Sequence, residues 1–528
     1  MPALDRKWWT LIAVCVATFM LLLDITVVNV ALPDIQHSLN ASFSDIQWVV
    51  DAYSLMLAAF LLTAGVIGDI LGRREVFAIG LGIFSVASLV CGLSTTSVML
   101  NLSRAAQGVG GAVMFATSLA LIANAFHGRD RGTAFGIYGA VLGGSVAVGP
   151  LIGGAITSGI GWRWIFFVNV PIGILAILVT LAKIQESKDP HKRRIDWIGF
   201  VSFSSALFML VLALIRGNDD GWTSPLILGL LIGAAAMFTV FLVAEWRQRD
   251  PMLDLSLFKR PAMNGVSLAA LTLSASIFAL FLYLTLYIQD DLGYGPLAAG
   301  VRFLPLTVLA FIVAPIAGKL TVRVKTRYLL GAGLLLIAIG CFVMGHTHAS
   351  SSWTVLLPGF IVVGVGVGTV NPVLASSAIS VVPPERSGMA SGTNSTFRQV
   401  GIATGIAGLG AVFQNQIQHK TLSALASTPT GQSVIAHGGA ALKGAILGGG
   451  VHQAAAAIPS AASRAALLDA YRVGFSSSLN SIMLIGAVIA LVGSIGAFVL
   501  VRQRDFVPSH GPAAAESAPS EPTPVEAR

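Results

Sequence analysis

The chain has 528 residues, 55% hydrophobic and only 11% charged, with a mean hydropathy of +0.81. A soluble protein of this length carries roughly a quarter charged residues, so the composition excludes the soluble globular classes. The formal net charge of +8 would suit a nucleic-acid partner, but the placement of the basic residues argues for a membrane instead.

The apolar residues fall in blocks long enough to cross a hydrocarbon core of roughly 30 Å. They predict an all-α polytopic membrane protein with fourteen spans, at 9–32, 48–69, 75–94, 99–123, 134–158, 163–182, 197–215, 224–244, 263–288, 297–318, 328–345, 354–378, 389–415 and 480–501. With the amino terminus inside, 23 of the 32 Lys and Arg fall on the cytoplasmic side and 6 on the other, while Arg104, Arg302 and Arg398 lie within spans. That asymmetry sets the orientation, with both termini cytoplasmic, and accounts for the net charge without nucleic acid. Cys15, Cys91 and Cys341 all fall in apolar spans, as small core residues and not a disulfide framework.

Span 1 follows Arg6 and Lys7, which imitate a signal peptide, but the run is too long and lacks a small-residue cleavage site. Within it, Leu23 to Pro33 holds Asp24. A charge at that depth costs about 3 kcal/mol on insertion scales, so it usually faces a cavity and has a task. Asp24 is therefore the expected proton carrier. Asn29 lies five residues on, about 140° around the helix, and is expected between helices and not in the same cavity.

Asp51 stands about one turn into span 2. It fits a helix-start carboxylate favoured by the dipole as well as it fits a proton or cation role. The turn after span 2 reads Gly65-Val66-Ile67-Gly68-Asp69-Ile70-Leu71-Gly72-Arg73-Arg74. Asp69 ends a helix, Gly72 permits a tight turn and the arginines face the cytoplasm. In span 4, Arg104, Gln107, Gly108 and Gly111 share one helical face. Arg104 needs a partner or water, or else snorkels to the interface. Span 5 carries Gly149-Pro150-Leu151-Ile152-Gly153-Gly154, whose small residues allow close helix approach.

Further on come Asp196-Trp197-Ile198-Gly199 at span 7 and Pro251 to Phe258 between spans 8 and 9. Gly364, Gly366 and Gly368 mimic a dinucleotide fingerprint but sit in apolar span 12, where helix packing is the better reading. Span 13 carries Ser391-Gly392 and Arg398-Gln399-Val400-Gly401. Residues 416–479 read as a long outer loop. Within it, Leu467, Leu468, Tyr471 and Phe475 suggest an amphipathic helix on the membrane surface or on the protein. The Pro-, Ala-, Ser- and Glu-rich tail after about Val507 reads as disordered. No phosphate-cradling loop for ATP occurs, and His346 and His348 lack the company a metal needs.

The turn at 65–74 resembles the cytoplasmic loop motif of the major facilitator superfamily. The Asp24 segment resembles the signature of its fourteen-helix drug:proton antiporter group, and the span 4, 5, 7 and 13 motifs are similar to that group in order. Ser145 stands where the span 5 antiporter pattern usually has Gly. The resemblance implies two six-helix bundles around a central cavity, with two inserted helices. The expected units are 1–183 for the first bundle, 184–250 for the inserted pair and its linkers, 251–505 for the second bundle, and a tail at 506–528. It implies roles in proton coupling for Asp24 and Arg104, with Asp51 a further candidate, in gating for Gly65, Asp69, Gly72, Arg73 and Arg74, and in antiport for Gly149, Pro150, Gly153 and Gly154. Asn29, Gln107, Arg398 and Gln399 are cavity or interhelical candidates.

The expected function is proton-coupled export of amphiphilic or hydrophobic drugs across the plasma membrane, by a monomer without cofactor, metal, ATP or catalytic residues. A dedicated exporter of one metabolite is the nearest alternative. A membrane receptor or enzyme would need a sensor domain or a cluster of catalytic polar residues, and neither is visible in the sequence.

Overall fold

The computed structural model describes residues 5–41, 43–188, 195–248, 251–447 and 451–506. The tail expected to be disordered lies outside the described residues. The described residues are helical almost throughout.

The first set comprises α1 (Arg6–Leu39), α2 (Phe43–Leu71), α3 (Arg73–Leu93), α4 (Ser97–Ala125), α5 (Gly128–Ile160), the single turn α6 (Trp164–Phe167) and α7 (Asn169–Lys183). Next come α8 (Trp197–Asp220) and α9 (Pro225–Arg247). The rest comprises α10 (Pro261–Leu273) and α11 (Ala279–Leu286), joined through a π-helical turn at Ser274–Phe278, then α12 (Pro296–Leu320), α13 (Thr326–Met344), α14 (Leu357–Ser380), α15 (Ser387–Ala426), α16 (Pro429–Leu447), α17 (Val451–Ala456) and α18 (Ala461–Leu500).

Among the described residues, twelve segments are long and apolar enough to cross a membrane. Two further long helices, α5 and α15, match expected spans 5 and 13 but are diluted by Gly, Ser, Thr, Asn and Gln. Helix α4 packs on α2 and α3, and α1 packs on α5. In the later part, α14 packs on α12 and α13, and α18 packs on α13, α10 and α15. Two seams join these sets, α5 against α12 and α2 against α15, while α8 pairs with α9 and leans on the α2–α15 seam.

Small residues make these approaches possible. A Cβ on Gly132 or Gly318 would strike the carbonyl of the other, and one on Gly136 would strike Pro315, so α5 and α12 touch backbone to backbone. Gly364 and Gly368 face α12 and Gly366 faces α13, as the packing reading of span 12 expects.

The region 416–479 differs from expectation. Helix α15 continues to Ala426, α16 and α17 follow, and α18 begins at Ala461, so the described part is helical and not an open loop. Leu467, Tyr471 and Phe475 are buried near the start of the same helix that forms span 14. Phe475 packs on Phe413 and Tyr287, so this apolar stripe faces protein and not a membrane surface.

Candidate functional site

Two Asp–Arg pairs organise the polar interior. The first lies inside the first helical set. Asp24 on α1 is 4% exposed, and Arg104 on α4 is 1% exposed. Their side chains form an ion pair. Arg104 Nη1 also donates to Gln107 Oε1 (2.8 Å), and its Nε donates to the Val49 carbonyl on α2 (2.9 Å). Gln107 Nε2 donates to Asp24 Oδ1 (2.9 Å), and Asn169 Nδ2 reaches the same oxygen from α7 (3.3 Å). Asn169 is held in turn by Ser88 Oγ on α3 (3.1 Å), and the Arg104 guanidinium lies over the Tyr53 ring at 4.3 Å.

This geometry decides between two readings of Arg104 and changes the expectation for Asp24. Arg104 stands two turns inside α4, which starts at Ser97, and it is paired and not snorkelling. Asp24 turns into the packing of α1, α4 and α7 and not into an open cavity, because three side-chain donors converge on its oxygens. Gln107 belongs to this cluster. Asn169 and Tyr53 were missed by the sequence reading. The lone Asn in the apolar run Trp164 to Leu181 was the available signal.

The second pair lies at the α2–α15 seam. Arg73 Nε donates to Asp69 Oδ1 (2.9 Å), and Asp69 accepts from the backbone N–H groups of Gly388 (2.9 Å) and Met389 (2.8 Å). A carboxylate from α2 thus sits on the N-terminus of α15, where free N–H groups and the helix dipole favour negative charge. Arg73 Nη2 donates to the carbonyls of Pro384 (2.8 Å) and Glu385 (3.1 Å). A Cβ on Gly65 would strike the Gly388 carbonyl, so this glycine sets the close approach. Gly72 has φ of 126°, a conformation that favours glycine, and makes the turn into α3. Arg74 is half-buried, and its backbone N–H donates to Glu186 (3.0 Å). At this end the two helical sets are closed on one another.

The remaining candidates scatter. Gly149 and Gly153 face Thr26 and Val27 on α1, so the span 5 glycines bring α5 against the Asp24 helix. Gly154 lies one residue beyond, partly exposed. The side chains of Pro150 and Asn29 lie outside the described residues. Asp51 is half-buried on α2. Arg398 and Gln399 are half-buried on α15, with Arg398 Nη1 donating to Asn371 Oδ1 on α14 (3.1 Å).

An apolar cavity of about 700 Å³ lies between α2, α8, α9 and α15, lined by Leu62, Phe203, Leu207, Phe241, Phe258 and Phe397 among others. It contains neither Asp–Arg pair. Among the described residues no group of His, Cys, Asp or Glu could hold a metal ion.

A family model described as Major Facilitator Superfamily matches residues 14–406. The chain belongs to the major facilitator superfamily. It is 37% identical to the multidrug resistance protein Stp of Mycobacterium tuberculosis over 404 residues, covering 76% of this chain and 75% of that protein. It is 33% identical to the tetracenomycin C resistance and export protein of Streptomyces glaucescens, over 78% of this chain and 77% of that one. The superfamily proton:xylose symporter XylE superposes with a TM-score of 0.61 at 12% identity, over 94% and 96% of the two chains, which is a likeness of fold. The chain is a multi-pass membrane protein of a transporter family.

Proposed function

We propose that this chain is a proton-coupled exporter of amphiphilic small molecules. The observation that carries the reading is the sealed Asp24–Arg104–Gln107–Asn169 cluster, a titratable ion pair buried in an otherwise apolar bundle. The names of the two relatives, one for multidrug resistance and one for resistance and export, support the direction of transport.

In this reading α5 and α15 also cross the membrane and, with the twelve more apolar segments, make fourteen spans. Residues 1–183 and 251–505 form two bundles, with 184–250 inserted between them. The basic ends face the cytoplasm, both termini are inside, and the protein works as a monomer in the plasma membrane. The Asp69–Arg73 seam is then the cytoplasmic gate, shut in this conformation.

A proton reaching Asp24 neutralises it and releases Arg104, which is also anchored to the α2 backbone at Val49. Protonation thus loosens α1 from α4 and lets the bundles rock, cargo leaving before the proton passes inward. One charge falling through 100 mV is worth about 2.3 kcal/mol, enough for roughly a fiftyfold gradient per proton.

The test is dye movement in proteoliposomes under an imposed pH gradient. Wild type should export against the dye gradient and Asp24→Asn should not; full proton-driven transport by that variant refutes the assignment. A dedicated exporter of one metabolite is the second reading, favoured by the tetracenomycin-specific name of one relative. Transport of several unrelated dyes would exclude it.

A further inference from the structure

Arg398 is a guanidinium without an acid. Its hydrogen bond goes to the neutral Asn371, and the Phe278 ring centroid lies 5.5 Å from its Cζ. Among the described residues it makes no salt bridge, whereas Arg104 has Asp24 and Arg73 has Asp69. A full charge within a span needs a partner or water.

The groups around it are also donors in need of acceptors. Arg398 can only donate, so it takes the oxygen of Asn371 and leaves the Asn371 amide nitrogen free. That nitrogen is buried with no hydrogen-bond partner, in a residue 1% exposed. Tyr138 on α5 is also 1% exposed. The hydroxyls of Tyr138 and of Thr18 on α1 are both buried without a hydrogen-bond partner. Gly139 abuts Pro372, which brings the Tyr138 and Asn371 turns together.

The depths agree. Tyr138 is ten residues from the Gly128 end of α5, Asn371 nine from the Ser380 end of α14, and Arg398 eleven from the Ser387 start of α15. At 1.5 Å per residue all three lie about 14–17 Å from the same end, near the middle of a hydrocarbon core of roughly 30 Å. They come from both helical sets, and Arg398 is half-buried where they meet.

We propose that Arg398, Asn371 and Tyr138 form an anion-recognition site between the two helical sets, for cargo that carries a carboxylate or phenolate on a hydrophobic scaffold. A charge-assisted hydrogen bond from Arg398 would fix the anion, and the Asn371 amide and Tyr138 hydroxyl would complete its shell. The Phe278 ring offers apolar surface beside it. This deepens the export reading and rests on it.

The test uses two dyes of similar shape and opposite charge, fluorescein and rhodamine 6G, bound to the full chain in lipid nanodiscs and read by fluorescence anisotropy. Wild type should bind fluorescein, and Arg398→Gln should weaken that binding about thirtyfold or more, as when one member of a buried charge pair is removed. Asn371→Asp keeps the side-chain shape but gives the guanidinium an internal acid; it should lower the fluorescein-to-rhodamine affinity ratio likewise, and it decides the matter if Arg398→Gln does not fold. Absence of fluorescein binding by wild type, or an unchanged ratio in the variants that fold, overturns the proposal. Failure of proton-driven movement of either dye would sink the export reading instead and leave the binding ratio to decide this one.

Discussion

The two Asp–Arg pairs use the same chemistry to different ends. Asp24 and Arg104 join helices within one set, and both carboxylate oxygens are satisfied by side chains. Asp69 and Arg73 sit four residues apart at the end of α2 and the start of α3, and spend their remaining bonds on backbone groups of the other set. The first arrangement is closed to neighbours and, in the proposed cycle, changes only when a proton arrives. The second crosses a seam and breaks whenever that seam opens. A buried pair within a rigid unit can carry a coupling charge, whereas a pair at a boundary acts as a latch.

Breaking the inner pair should have the largest effect. Arg104→Gln strands a buried carboxylate, and we expect a loss of about 3–5 kcal/mol in stability together with proton-driven efflux, measured by thermal unfolding in detergent and by dye transport. Asp24→Asn strands the Arg104 guanidinium, which cannot shed its charge, and should cost a comparable amount of stability and be equally inactive. Survival of transport in both would erase the distinction between the two pairs. Next in size, Asp69→Asn removes the charge on the α15 N-terminus, and should favour the open seam by about 2 kcal/mol, or about thirtyfold. Spin-label distances between the Arg73 and Pro384 turns would show it, and unchanged distances would argue against a latch. Gly65→Ala attacks the same seam sterically and should disfavour closure by at least about 1 kcal/mol, with an intact Asp24 cluster.

The smallest effect is expected at Asp254, in the linker after α9. Its pair with Arg386 (2.6 Å) is partly exposed and so worth less than about 1 kcal/mol. Burial pushes its pKa upward, but hydrogen bonds from Ser256 and Arg386 outweigh this and hold it below the usual carboxylate range. Its contribution is therefore full above the unfolded value of about 3.9 and disappears as pH falls through the lowered folded value. Asp254→Asn should destabilise slightly at pH 7, by an amount that shrinks progressively as the pH is lowered below about 3.9.

Much of this was legible in the sequence because charges in apolar runs are conspicuous. Asp24 and Arg104 stood out for that reason, Gln107 for sharing a helical face with Arg104, and Gly65, Asp69 and Arg73 for their spacing around a turn. The partners were harder to see. Gly388 and Met389 serve through backbone N–H groups, which any residue would provide. Asn169 gave one polar letter without periodicity. The helices after Phe413 escaped because a Gly-, Ala- and Ser-rich segment that packs on protein lacks the hydropathy of a span, and the buried stripe of Leu467, Tyr471 and Phe475 resembles an interfacial helix until its partners are known.

Helices α15 and α18 each have 40 residues and run about 60 Å along their axes, roughly twice the thickness of the hydrocarbon slab. In the proposed fourteen-span reading their paired ends, continued by α16 and α17, stand clear of the lipid as a stalk on the side away from Arg73. Such a stalk works as a pointer, because a small tilt at its root becomes a larger sweep at its tip. A fluorophore at the exposed Ser427 would read each transport stroke from a place no cargo has to pass.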